Sequence, residues 1–188
     1  MSSLNTPADE FQEGGVQRTL SGNPLRFVLG CALAFSAFQL MVAGFHPLSS
    51  LVIRSLHVGF LLLLTFLMYP AFKTGKLTSI AWYDGVLALV AFALSFYHWI
   101  FEADLIQRSG DPTISDLVVG TVMVVLVFEA TRRILGWALP IVCGTFLLYG
   151  LFGQYLPGVI AHRGYGFDQI VGQLWLGTEG VLGIPVMV

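Results

Sequence analysis

The sequence predicts an all-α fold, a polytopic helical membrane protein with about five transmembrane helices plus the start of a sixth. Three observations carry that expectation. Hydrophobic residues make up 56% of the 188-residue chain and charged residues only 11%, against roughly 25% charged in a soluble domain. Mean hydropathy is +0.80. The uncharged runs are long: the first, Phe27 to Phe45, has nineteen residues, enough to cross a hydrocarbon core of roughly 30 Å. The lipid bilayer is therefore an expected partner. A formal charge of -2 with nine scattered Lys and Arg leaves no basic field for nucleic acid.

The stretch preceding the first span, with Asp9, Glu10, Glu13 and Gly14, Gly15 and Gly22, has little to bury and reads as a flexible cytoplasmic tail over residues 1–25. No cleavable signal is visible, because the first apolar run has the length of a full span. Span one follows Arg26 and ends at His46-Pro47. Ser49 and Ser50 are helix-start residues for a second run, Leu51 to Phe72, with Arg54 and His57 at i and i+3 near its beginning. These two form an interfacial pair that snorkels from the first turns, or one that meets a headgroup phosphate, a partner or a proton.

Lys73, Gly75 and Lys76 make a short basic turn. Ile80 to Phe101 is the third run, with Asp84 near its entry, His98 near its exit, and Trp82, Tyr83, Tyr97 and Trp99 at its ends like an aromatic belt. The connection Glu102 to Asp116 is acidic, with Arg108 its one base. Asp111-Pro112 reads as an N-cap and first-turn proline that start span four and carry it to about Thr131. Span five covers Ile134 to Gly153, with Gly136 and Pro140 bending its entry. Gln154 to Asp168 lacks periodicity and reads as a surface loop.

The last run, Ile170 to Val188, is apolar but contains Glu179 and Gly183-Ile184-Pro185. It reaches the final residue without a polar flank, which suggests a longer polypeptide.

The charged interruption at Glu129, Arg132 and Arg133 organises the second half of the chain. Leu117 to Gly153 as one helix would be about 55 Å long, so it must form two spans or one bent one, and an arginine pair belongs at a membrane surface rather than at the bilayer centre. Glu129 stands three and four residues before the arginines, at helical pairing distance. The trio is either a topology marker or a lock onto another helix or subunit. With the N-terminus in the cytoplasm, Arg18, Arg26, Lys73, Lys76, Arg132 and Arg133 lie inside, while Arg54, Arg108 and Arg163 lie outside, which is the positive-inside orientation.

Catalytic and metal signatures are missing. His46, His57, His98 and His162 show no metal-ligand spacing and read as interfacial histidines. Cys31 and Cys143 fall inside apolar runs and read as buried structural thiols. An enzyme embedded in the membrane would have to use Glu129, Arg132, Arg133 and Glu179, so enzymatic activity is not expected. Asp104, Arg108, Asp111 and Arg163 sit in the two longest external connections, where partner contact is expected.

Several segments together resemble a family. Arg54-Ser-Leu-His-Val-Gly-Phe60, Tyr69-Pro70, Arg108-Ser-Gly-Asp-Pro-Thr-Ile-Ser-Asp116, Val127 to Pro140, Tyr149 to Gly153, Pro157-Gly158 and Glu179 to Pro185 are similar to the N-terminal part of fused TRAP transporter permeases. The TAXI type, with the small and large membrane subunits in one chain, is the closer likeness. The resemblance covers roughly Arg26 to Val188. It implies a four-helix small-subunit-like membrane domain over 26–133 and the first helices of a large transport domain over 134–188. It also implies uptake of organic acids across a bacterial inner membrane, driven by an ion gradient and fed by a periplasmic substrate-binding protein. The remainder of the transport domain is then a further partner, and the coupling ion, sodium by expectation, would bind in that part. No other cofactor is implied. A free-standing scaffold subunit is the alternative.

Overall fold

The structure, a computed structural model, describes residues 15–45, 48–72 and 77–183. Eight α-helices are found among these residues: α1 (Asn23–Phe45), α2 (Ser50–Met68), α3 (Trp82–Ser95), α4 (Tyr97–Ile100), α5 (Glu102–Gln107), α6 (Ile114–Leu135), α7 (Ala138–Phe152) and α8 (Phe167–Val171). Five stretches are long and apolar enough to span a membrane: α1, α2, Trp82–Ile100 across α3 and α4, α6, and Ala138–Tyr155. The chain is a polytopic helical membrane protein. The expected Lys73-Lys76 turn, His46-Pro47, most of the expected tail, and Ile184 to Val188 with Pro185 lie outside the described residues.

α2 is the central element. Half of its apolar window is buried, against 11% for α1 and 6% for α7. Its Leu62, Leu63, Phe66 and Leu67 pack with Ala88 and Ala91 of α3 and Met123, Leu126 and Ala130 of α6. α1 and α7 flank this core and turn most of their apolar surface outward. Cys143 is exposed on α7 and Cys31 is half-buried, so Cys143 is not the buried thiol expected. α7 buries little besides Pro140, and among the described residues no second layer of protein covers its middle to bury a thiol.

Local chemistry sets the helix ends. Ser49 caps α2 by accepting from the Val52 amide, as the sequence suggests. α6 starts differently from expectation. The cap is Thr113, not Asp111, and it forms a capping box in which Asp116 accepts from the Thr113 amide at 2.8 Å. The reciprocal pairing satisfies two helix-end donors, which a lone Asp111 followed by proline could not do. α6 then runs past Arg132 and Arg133 to Leu135 and breaks at Gly136, whose φ of 77° favours glycine. Pro140 falls in the first turn of α7, where it displaces no helical hydrogen bond.

The third span bends at Phe96. The Ser95 carbonyl accepts from the Ser55 hydroxyl of α2 at 2.8 Å, while the Trp99 amide pairs with Phe96 instead. The connection after it holds α5, with Glu102 and Asp104 in its first turn, where the helix dipole favours acids. Residues 153–166 contain two 3-10 turns before α8. α8 widens into a π turn, Gly172–Leu176, closed by the Gly177 amide on the Gly172 carbonyl. The chain then folds back, with the Val181 amide bonded to the Leu174 carbonyl. The helical start expected for a sixth span is thus ten residues, 167–176, followed by a turn.

Candidate functional site

The three charges that the sequence singles out meet in the last turns of α6. Glu129 accepts from Arg132 Nε and Nη2 at 2.7 Å each and from Arg133 Nε at 2.8 Å. Helical periodicity alone places both arginines within reach of the acid. The tertiary fold adds two partners that sequence reasoning left apart. Asp84, in the first turn of α3, accepts from Arg133 Nη1 at 2.7 Å and pairs on its other oxygen with Arg18. Arg18 also donates to the Phe66 and Leu67 carbonyls at 3.0 and 2.8 Å, and Arg133 to the Tyr69 carbonyl at 3.0 Å. The frayed end of α2, whose last carbonyls have no helical donor, is therefore closed by two guanidiniums.

The side chains of Arg18 and Arg133 are 1% exposed and that of Asp84 is 0%. Arg133 lies over the Phe66 ring, 4.8 Å from its centroid, and Arg132 over Trp137 at 5.3 Å, where the ring face attracts the cation. Arg132 and Arg133 thus bond outside α6 as well as to Glu129. Residues 15–20 are also not a free tail: the Gly15, Arg18 and Thr19 amides bond to the carbonyls of Ile134, Met68 and Leu77. Burial of Arg18 between Asp84 of α3 and the end carbonyls of α2 accounts for that departure, because a buried guanidinium must be paired.

A second polar group occupies the opposite ends of the helices. Asp116 accepts from Tyr97 Oη at 2.5 Å, Arg108 Nη2 at 2.9 Å and Thr113 Oγ1 at 2.7 Å. His98 is fully buried, with Nδ1 3.1 Å from Ser55 Oγ and its ring edge-on to Trp175 at 5.6 Å. It is not the interfacial histidine expected, because the bend at Phe96 turns it inward. A Cβ at Gly120 would collide with Val171, so the absence of a side chain on α6 seats the 167–176 segment.

The other residues singled out are dispersed. Arg54 and His57 share a face of α2 but have different neighbours: Arg54 donates to the Leu182 carbonyl at 3.1 Å, while His57 meets Gln39 and the edge of Phe35 on α1. Asp104, Asp111 and Arg163 are exposed. Arg108 lines a cavity of about 400 Å³ with Gln169 and Gln173, and Arg163 lines another of about 570 Å³ with Phe146 and Tyr165. His162 bridges the loop, bonding to the Tyr149 carbonyl and the Gly164 amide at 2.9 Å each. His46 lies outside the described residues.

Among the described residues no group of three His, Cys, Asp or Glu is placed to hold a metal ion. Every oxygen of Asp84, Glu129 and Asp116 is engaged by a donor. Such an arrangement holds helices in register. Asp84 and Arg18 went unmatched in the sequence because 66 residues separate them. The one available signal was an acid in the first turn of an apolar span, which needs a partner if buried. Comparisons with family models, with curated proteins and with solved structures find no match.

Proposed function

We propose that the chain is the N-terminal membrane portion of a TRAP-type secondary transporter permease. Four spans form a scaffold and the following helices begin a transport region. With a periplasmic substrate-binding protein and an ion gradient, sodium by expectation, the whole takes up organic carboxylates across a bacterial inner membrane. The observation carrying this reading is that the family-like segments, scattered along the sequence, bond to one another in the fold. Arg54 reaches the Leu182 carbonyl and Arg133 reaches the Tyr69 carbonyl, each from one such segment to another. A resemblance arising from apolar composition alone gives no reason for its arginines to bond across segments.

In this reading the end holding Glu129, Arg132 and Arg133 faces the cytoplasm, as the loop charges favour. α5 and the 153–166 loop face the binding protein. Impermeant thiol labelling of intact cells, with Cys31 and Cys143 replaced, is expected to mark Ser109→Cys and spare Ser79→Cys. The reverse pattern overturns the orientation. Uptake of labelled carboxylates by cells carrying the complete reading frame tests the function. Uptake is expected to require the binding protein and to collapse when the sodium and proton gradients are dissipated. Uptake indifferent to both overturns the proposal.

A further inference from the structure

A groove runs between α6 and α7 on the outer surface of the helix assembly, about 340 Å³ in volume. Its walls are Val125 and Phe128 of α6 and Ile141 and Gly144 of α7, with Arg132 and Trp137 at the end where the two helices are joined. The wall from Val125 to Arg132 and the wall from Trp137 to Gly144 each extend about 10 Å at 1.5 Å per residue. Val125, Trp137 and Ile141 are each at least 60% exposed. Both helices are long and apolar enough to span a membrane, which suits the open side of the groove to acyl chains.

The closed end has a charge to match. Among the described residues the cluster combines three guanidiniums, Arg18, Arg132 and Arg133, with two carboxylates, Asp84 and Glu129, and carries one net positive charge. Arg18 and Arg133 are sealed inside, whereas the Arg132 side chain is 21% exposed. Its Nε and Nη2 bond to Glu129 and the Ala71 carbonyl, and its Nη1 has no partner among the described residues. Glu129 also lines the groove, but both of its oxygens are held by arginines. The excess cation is thus presented at a span end, beside a tryptophan, above an apolar channel.

We infer that this groove is a binding site for an anionic phospholipid, with one acyl chain along Val125, Phe128, Ile141 and Gly144 and the headgroup phosphate on Arg132. Basic pockets between spans at a membrane surface recognise charged headgroups in this way, and Trp137 sits at headgroup depth as interfacial tryptophans do. A bound lipid would also fill the space between α6 and α7, and so stabilise the junction on which the Glu129 cluster stands.

Native mass spectrometry of the intact chain in zwitterionic micelles, titrated with dioleoyl phosphatidylglycerol, tests the site. Dioleoyl phosphatidylcholine is the neutral control and glycerol phosphate the chainless one. Phosphatidylglycerol is expected to bind about fivefold more tightly than phosphatidylcholine, from one cation at the headgroup. Arg132→Gln is expected to abolish that preference and Arg132→Lys to retain it. Gly144→Leu lies outside the charge cluster, and a Cβ there meets only Phe128 at 3.9 Å. It is expected to fill the channel and lower occupancy by both lipids, with melting in lipid-free micelles unchanged. Equal binding of the two lipids by the parent chain overturns the inference. So does unchanged lipid occupancy in Gly144→Leu, or displacement of phosphatidylglycerol by glycerol phosphate.

Discussion

Each end of the helix assembly holds a fully buried aspartate on an apolar span, yet the two are satisfied in different ways. Asp116 is met by the hydroxyl and amide of its own cap residue Thr113, by Arg108 eight residues away and by Tyr97 nineteen away. Asp84 depends on Arg133 and Arg18, 49 and 66 residues distant. Arg108 retains 28% side-chain exposure, while the partners of Asp84 retain 1%. One carboxylate finishes a helix. The other holds α3, α6 and the 15–20 segment together. Loss of the first should loosen a local element, and loss of the second should release a tertiary junction.

The largest expected effect follows from that contrast. Asp84→Asn leaves two buried guanidiniums without their shared anion and is expected to destabilise the chain by about 3 to 5 kcal/mol, read as a drop in thermal stability of the purified protein. Residues 15–20 should become open to proteolysis in the same variant. If Asp84→Asn melts with the parent, the distinction between the two ends collapses.

Glu129→Gln comes next, at about 1 to 3 kcal/mol. Its carboxylate is 27% exposed, and Arg133 keeps Asp84. A double-mutant cycle with Asp84→Asn is expected to be non-additive, because both acids act on Arg133. Additive losses would separate the α6 trio from the Asp84 junction.

At the opposite end, Thr113→Ala removes the cap and is expected to cost about 1 kcal/mol, with hydrogen exchange rising in the first turn of α6 and unchanged at Arg133. Faster exchange at both ends would show that the cap is not local. The smallest effect on stability belongs to Asp104→Lys with Asp111→Lys. Both residues are exposed, so the change should stay within about 0.5 kcal/mol. Under the proposed function, the same pair in the full-length protein should lower uptake that depends on the binding protein. Unchanged uptake would remove these residues from the partner surface.

The residues themselves determined the class and most of the element plan. Apolar runs of nineteen residues or more demand spans, because a backbone in hydrocarbon must satisfy its own hydrogen bonds. Helical spacing of three and four by itself puts Glu129 within reach of Arg132 and Arg133. Only the tertiary structure decided that Asp84 and Arg18 complete that group, that His98 faces inward and that Arg54 and His57 part company. Periodicity reports what lies one turn away on the same helix. Which helices lie side by side depends on packing across the whole core around α2, and a partner 66 residues distant leaves no local mark in the sequence.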